Sequence, residues 1–110
     1  MNGTQLAQTR PGNTSAASAV SPDAEGEVVE IQEIVIANTT STASTFSIYH
    51  DEDGSTYDAD SVLFDEVSID GNTTVQIECK WTLRNPSGNL AIQSGTNDAI
   101  NFTIYGERRN

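Results

Sequence analysis

The chain has 110 residues, is 35% hydrophobic, and carries a formal charge of −11 from sixteen acids against five bases. That length supports one domain with a small core. The acidic balance repels phosphate backbones and anionic lipid, which argues against direct nucleic-acid or membrane binding. The lone Cys79 excludes an internal disulfide and any multi-cysteine metal site.

Residues 1–24, MNGTQLAQTRPGNTSAASAVSPDA, contain only Leu6 and Val20 as large aliphatics beyond Met1. Such a composition cannot offset its own ordering entropy. The stretch therefore reads as an extended N-terminal arm that docks on a neighbouring surface, ahead of a domain spanning 25–110. An arm folded over its own domain is the other reading. Leu6 and Val20 as apolar anchors, with the rare cation Arg10 and Pro11 beside it, are the expected partner-binding positions. No basic n-region or apolar h-region marks a secretory signal, and no long apolar run marks a transmembrane helix.

From residue 27 onward, apolar residues recur at every second position in short runs that end in turn-forming residues, which is a β signature. EVVEIQEIVIAN places Val29 and Ile31 on one face, then changes phase at Gln32 and Glu33 so that Ile34 and Ile36 take over. A bulge or a crossing between sheets produces such a shift. TFSIYH turns Phe46 and Ile48 inward and leaves Tyr49 on the opposite face, its hydroxyl available to solvent or a partner. DEDGSTYD supplies a turn at Asp53-Gly54, and SVLFDEVSID resumes the strand signal, broken by Asp65 and Glu66. TTVQIECKW alternates Val75, Ile77, Cys79 and Trp81 against Thr74, Gln76, Glu78 and Lys80. NLAIQS and AINFTIYGE complete a set of seven or eight strands. The expected fold class is all-β, an antiparallel β-sandwich or jelly roll with an extended N-terminal arm, and a closed barrel is the competing architecture.

Candidate chemistry is sparse. His50 is the only histidine, and no motif organises it with a nucleophile, so it reads as a hydrogen-bonded strand-end residue. Cys79 shares a face with Val75, Ile77 and Trp81 and reads as a small buried hydrophobe. The acids around the 53–54 turn, Asp51, Asp53, Asp58 and Asp60, are the candidates for calcium. Tyr49 stands where an EF-hand loop begins with Asp, and the flanks read as strands. No cofactor is expected, and no enzymatic activity.

LAQTRPGNTSAASAVSP, IVIANTTSTASTFSIYHDEDGSTYD, SGNLAIQSGT and AINFTIYGE together resemble small structural proteins of tailed bacteriophages. Those domains combine a polar Gly/Pro arm, a strand ending in a V-x-N-T-S type turn, an F-x-I-Y/F-H-D-D-D-G-T-T-Y-D hairpin and a final strand like FTLYGEE. The matching stretches are Ile36 to Thr40, Phe46 to Asp58 and Phe102 to Glu107. The resemblance implies a non-enzymatic virion component, assembled in the cytoplasm of a bacterial host as trimers or rings. Its implied partners are copies of itself and major capsid or tail proteins. The leading expectation is a capsid decoration or cement protein that stabilises the head. A neck or tail subunit, or a receptor- or glycan-binding tip module using Tyr49 and Tyr57, is the alternative.

Overall fold

The computed structural model describes residues 4–23, 26–52, 57–84 and 88–109. Those residues form strands and no helix: β1 (Thr4–Thr9), β2 (Ala17–Val20), β3 (Val28–Asn38), β4 (Ser44–Asp51), β5 (Val62–Ile69), β6 (Thr74–Leu83), β7 (Asn89–Ser94) and β8 (Ile100–Arg109). They make two four-stranded sheets, ordered β1-β8-β3-β6 and β2-β7-β4-β5, and every pairing is antiparallel. The pairs nest: β4 with β5, β3 with β6, β2 with β7 and β1 with β8, successive pairs alternating between the sheets. An antiparallel ribbon rolled on itself gives this order, so the sandwich is a jelly roll.

The central strands supply the core. Ile31, Ile34, Ile36, Phe102 and Ile104 from β3 and β8 meet Phe46, Ile48, Leu90 and Ile92 from β4 and β7, none more than 3% exposed. The Phe46 and Phe102 rings meet edge to face, with centroids 6.5 Å apart. Burying each such side chain contributes about 1.5–3 kcal/mol, so these rows hold the two sheets together.

The phase change at Gln32 and Glu33 is a bulge. β3 slips register between Ile31 and Glu33 against both of its neighbours, and β1 slips against β8 between Gln5 and Ala7. These irregularities lie side by side in one sheet and increase its local coiling. Gly106 sits where they meet. A Cβ there would collide with the backbone carbonyl of Glu30 and press on the Leu6 side chain, so only glycine allows β3 and β1 to close on β8. The break at Asp65 and Glu66 is likewise a bulge: β5 slips against β4 between Val67 and Phe64 and again around Leu63. Glu66 takes a φ of 47° while its N–H donates to Ser47 Oγ at 2.9 Å. The extra residue Leu63 is thrown outward and stands 44% exposed.

Asn38 shows how a polar residue builds a turn. It is 2% exposed, and its Nδ2 donates to the carbonyls of Thr42 and Ile69. Its Oδ1 accepts from the Thr40 N–H and hydroxyl. All of the side chain's main bonding groups are engaged, and the β3–β4 and β5–β6 turns are locked together as a result.

The described part of residues 1–24 is not an extended arm. Thr4–Thr9 pairs with β8 and Ala17–Val20 pairs with β7, so the stretch forms the outer strand of each sheet. The domain boundary expected at 24/25 therefore falls between two strands of one body. An edge strand needs apolar residues on one face only, and its ordering is offset by ladder hydrogen bonds that any sequence can make.

Candidate interaction surfaces

The four N-terminal candidates serve the chain's own fold. Val20 is 3% exposed within the core, and Leu6 is half-buried against it. The Pro11 carbonyl accepts the Asp98 N–H at 3.0 Å, and the exposed Arg10 donates from Nε to Asn101 Oδ1 at 2.7 Å. Arg108, on β8, completes the attachment. Its Nη1 lies 3.3 Å from Asp23 Oδ2 and 3.0 Å from Glu27 Oε1, and donates to the Ser21 carbonyl. As anchors for a neighbour, Leu6 and Val20 are corrected: the rolled topology turns both side chains inward.

The tyrosine pair is also covered. Tyr49 does lie on the face opposite Ile48, but it is only 8% exposed. Ahead of β5, the Tyr57 ring lies over it at 5.8 Å. The hydroxyls are engaged as well, Tyr49 donating to Gln93 Oε1 and Tyr57 to Asn89 Oδ1, each at 2.6 Å. The free hydroxyl expected at Tyr49 is therefore corrected. His50 Nε2 meets Glu52 Oε2 at 2.8 Å, and Glu52 Oε1 accepts the Arg84 N–H. Among the acids proposed for calcium, Asp58 Oδ1 accepts the Asp60 N–H, Asp51 has interactions of its own, and Asp53 lies outside the described residues. Among the described residues, no three His, Cys, Asp or Glu side chains converge as a metal site.

One polar surface was not singled out by the sequence. On the outside of the β1-β8-β3-β6 sheet, at the bulge, Glu30, Gln32, Glu33, Gln76, Glu78, Cys79, Lys80 and Glu107 line a hollow of ≈ 520 Å³. The bulge creates it by placing Gln32 and Glu33 consecutively on the outer side, next to Glu30. Gln32 Nε2 donates to Glu30 Oε1 at 2.9 Å, while its buried Oε1 accepts nothing from the described chain. The Gln32 bond holds the Glu30 carboxyl below its ordinary value. Burial opposes that shift, and Arg109 and Lys80 reinforce it. Across the ladder Glu33 faces Glu78, two like charges directly opposed. Burial, aided by the charge of Glu33, pushes the Cys79 thiol up to about 11. It is a protonated, weakly reactive group at neutral pH. The legible signal was the phase change itself, read together with the run Glu78-Cys79-Lys80.

Both sides of the sandwich end in edge strands. On one side β1 and β2 approach each other, and Leu6, Ala7, Ala19 and Val20 close the core. On the other, β5 and β6 leave the inward rows Phe64, Val67, Val75, Ile77, Cys79 and Trp81 half-buried, with Phe64 and Trp81 in ring contact at 6.2 Å.

No protein-family model matches the chain, and no curated protein matches its sequence. Among solved structures, the tobacco streak virus coat protein dimer is similar over 98% of this chain and 84% of that chain, with a TM-score of 0.43 and 10% identity.

Proposed function

We propose that the chain is a non-enzymatic structural subunit of a virion, and within that class a capsid decoration or cement protein of a tailed bacteriophage. The observation that carries the reading is the jelly-roll strand order on an acidic body, together with the phage-like stretches of the sequence. Jelly rolls serve chiefly as capsid, lectin and cupin domains, and the comparison is one of fold-level analogy. A cupin-type metal centre draws on several histidines, and this chain has one, held by Glu52. A lectin presents aromatic rings to sugar, and Tyr49 and Tyr57 cover each other instead. A subunit whose role is mechanical needs only surface, and here even the first residues described serve to close the body. Function would then reside in the faces and edges of the body rather than in an arm.

Gold-labelled antibody against the chain, applied to gradient-purified particles, tests the reading. Labelling distributed over the head is the expected result, whereas labelling at one vertex favours the neck, tail or tip alternatives. Recovery of the chain only from the soluble fraction would refute a virion role.

A further inference from the structure

We propose that a second copy of this chain docks on β6, strand to strand and antiparallel, with Cys79 of each copy facing the other on a two-fold axis. The proposal deepens the reading of the chain as an assembling subunit by naming its self-contact. The two sheets have four edge strands. β2 is four residues long. β5 is blunted by two register slips and by the left-handed Glu66. β1 is short and carries its own slip. β6 runs for ten residues, contains no proline, and borders the side of the sandwich where the inward row is half-buried. Edges of this kind recruit another strand unless something blocks them.

The charges on β6 select the occupant and the register. Residues directly opposed across an antiparallel pair share a face, so a β6–β6 pairing must match the inward row with the inward row and the outward row with the outward row. Centred on Cys79, it sets Val75 against the partner's Leu83, Gln76 against the partner's Thr82, and Ile77 against the partner's Trp81. It also sets Glu78 against the partner's Lys80, and by symmetry Lys80 against the partner's Glu78. Moving the axis by one residue either way, to Glu78 or to Lys80, puts two like charges face to face on it. The Cys79 register also answers a deficit within the single chain, because the β3 neighbour of Glu78 is another carboxylate, Glu33. A second copy gives Glu78 a cation on its open side and extends the half-buried row of Ile77, Cys79 and Trp81 into the partner's. The contact is isologous and joins two four-stranded sheets into one.

The competing role for Lys80, the chain's only lysine, is to block the edge, as lysines on edge strands often do. Equilibrium sedimentation of the full chain separates the two. The wild type is expected to be a concentration-dependent dimer. Lys80→Glu replaces two opposite-charge pairs per dimer with two like-charge pairs and should weaken association about thirtyfold. Glu78→Lys should weaken it similarly while raising the melting temperature of the monomer, because it relieves the contact with Glu33. Combining Glu78→Lys with Lys80→Glu restores the complementary pairs and should return association to within about threefold of the wild type. A monomeric wild type, a dimer indifferent to both single changes, a double variant without rescue, or tighter association on losing Lys80 would each overturn the proposal. A failed dimer leaves particle labelling unaffected, and a soluble-only protein that dimerises leaves this contact standing, so the two readings fail separately.

Discussion

The two sides of the sandwich solve the same problem in opposite ways. On the β1/β2 side the chain closes its own core: Val20 is 3% exposed, Leu6 packs on the cluster, and Arg108 ties the segment after β2 to β8 through Asp23, Glu27 and the Ser21 carbonyl. On the β5/β6 side, residues of the same apolar character stay half-buried, and the Trp81 ring leans on Phe64 at the rim. The difference is not one of composition, since residues 1–24 hold only Leu6 and Val20 as large aliphatics beyond Met1. It lies in topology. The first strands are brought beside the last ones by the roll, whereas β5 and β6 are neighbours in sequence placed on different sheets, each with no further strand beyond it among the described residues. A side closed from within stabilises the monomer, and a side left open is where a partner can add stability.

This contrast can be broken most directly by removing residues 1–24. An arm dispensable for folding would leave the melting curve intact. Loss of β1 and β2 instead strips the outer pairing from β8 and β7 and uncovers the core at Val20 and Leu6, so circular dichroism should show no cooperative transition. A smaller and sharper test compares two equal truncations. Val20→Ala, on the closed side, should cost about 2 kcal/mol in urea unfolding, and Val75→Ala, on the open side, less than about 1 kcal/mol. Equal losses would mean that the two sides are equally sealed. The smallest effect expected concerns Cys79. Its thiol pKa is raised from 9.0 to about 11 in the fold, so the unfolded chain releases this proton first. Stability tied to it is intact below pH 9 and declines as pH rises toward 11. Cys79→Ser should flatten that alkaline decline in thermal melts, and an unchanged slope would show that the thiol is as accessible to water as in the unfolded chain.

Much of the architecture is legible before folding because apolar alternation is a local property. The runs at 27–38, 45–50, 73–81, 89–94 and 99–107 fall on β3, β4, β6, β7 and β8. Both interruptions of phase, at Gln32-Glu33 and Asp65-Glu66, fall on register slips. β1 and β2 are illegible for the same reason: their order comes from ladders to β8 and β7, and ladder hydrogen bonds leave no trace in side-chain pattern. Tyr49 illustrates a second limit. Alternation gives its face correctly, but Tyr57 lies over its ring and Gln93 of β7 takes its hydroxyl. The acidic hollow combines both cases, since the bulge is visible in the sequence while the convergence of Glu30, Glu78 and Glu107 from three strands is not.

An all-β chain, the positions of its central strands, its two phase breaks and its acidic character can be read before folding, because each depends on residues close along the chain. Only the packed fold makes β1 and β2 complete the sandwich, brings three strands together at Gly106, and sets Ile77, Cys79 and Trp81 along an open side. Those outcomes depend on which distant strands become neighbours. In a rolled sheet that pairing is set by how the whole ribbon closes, with β1 beside β8, rather than by any segment of it.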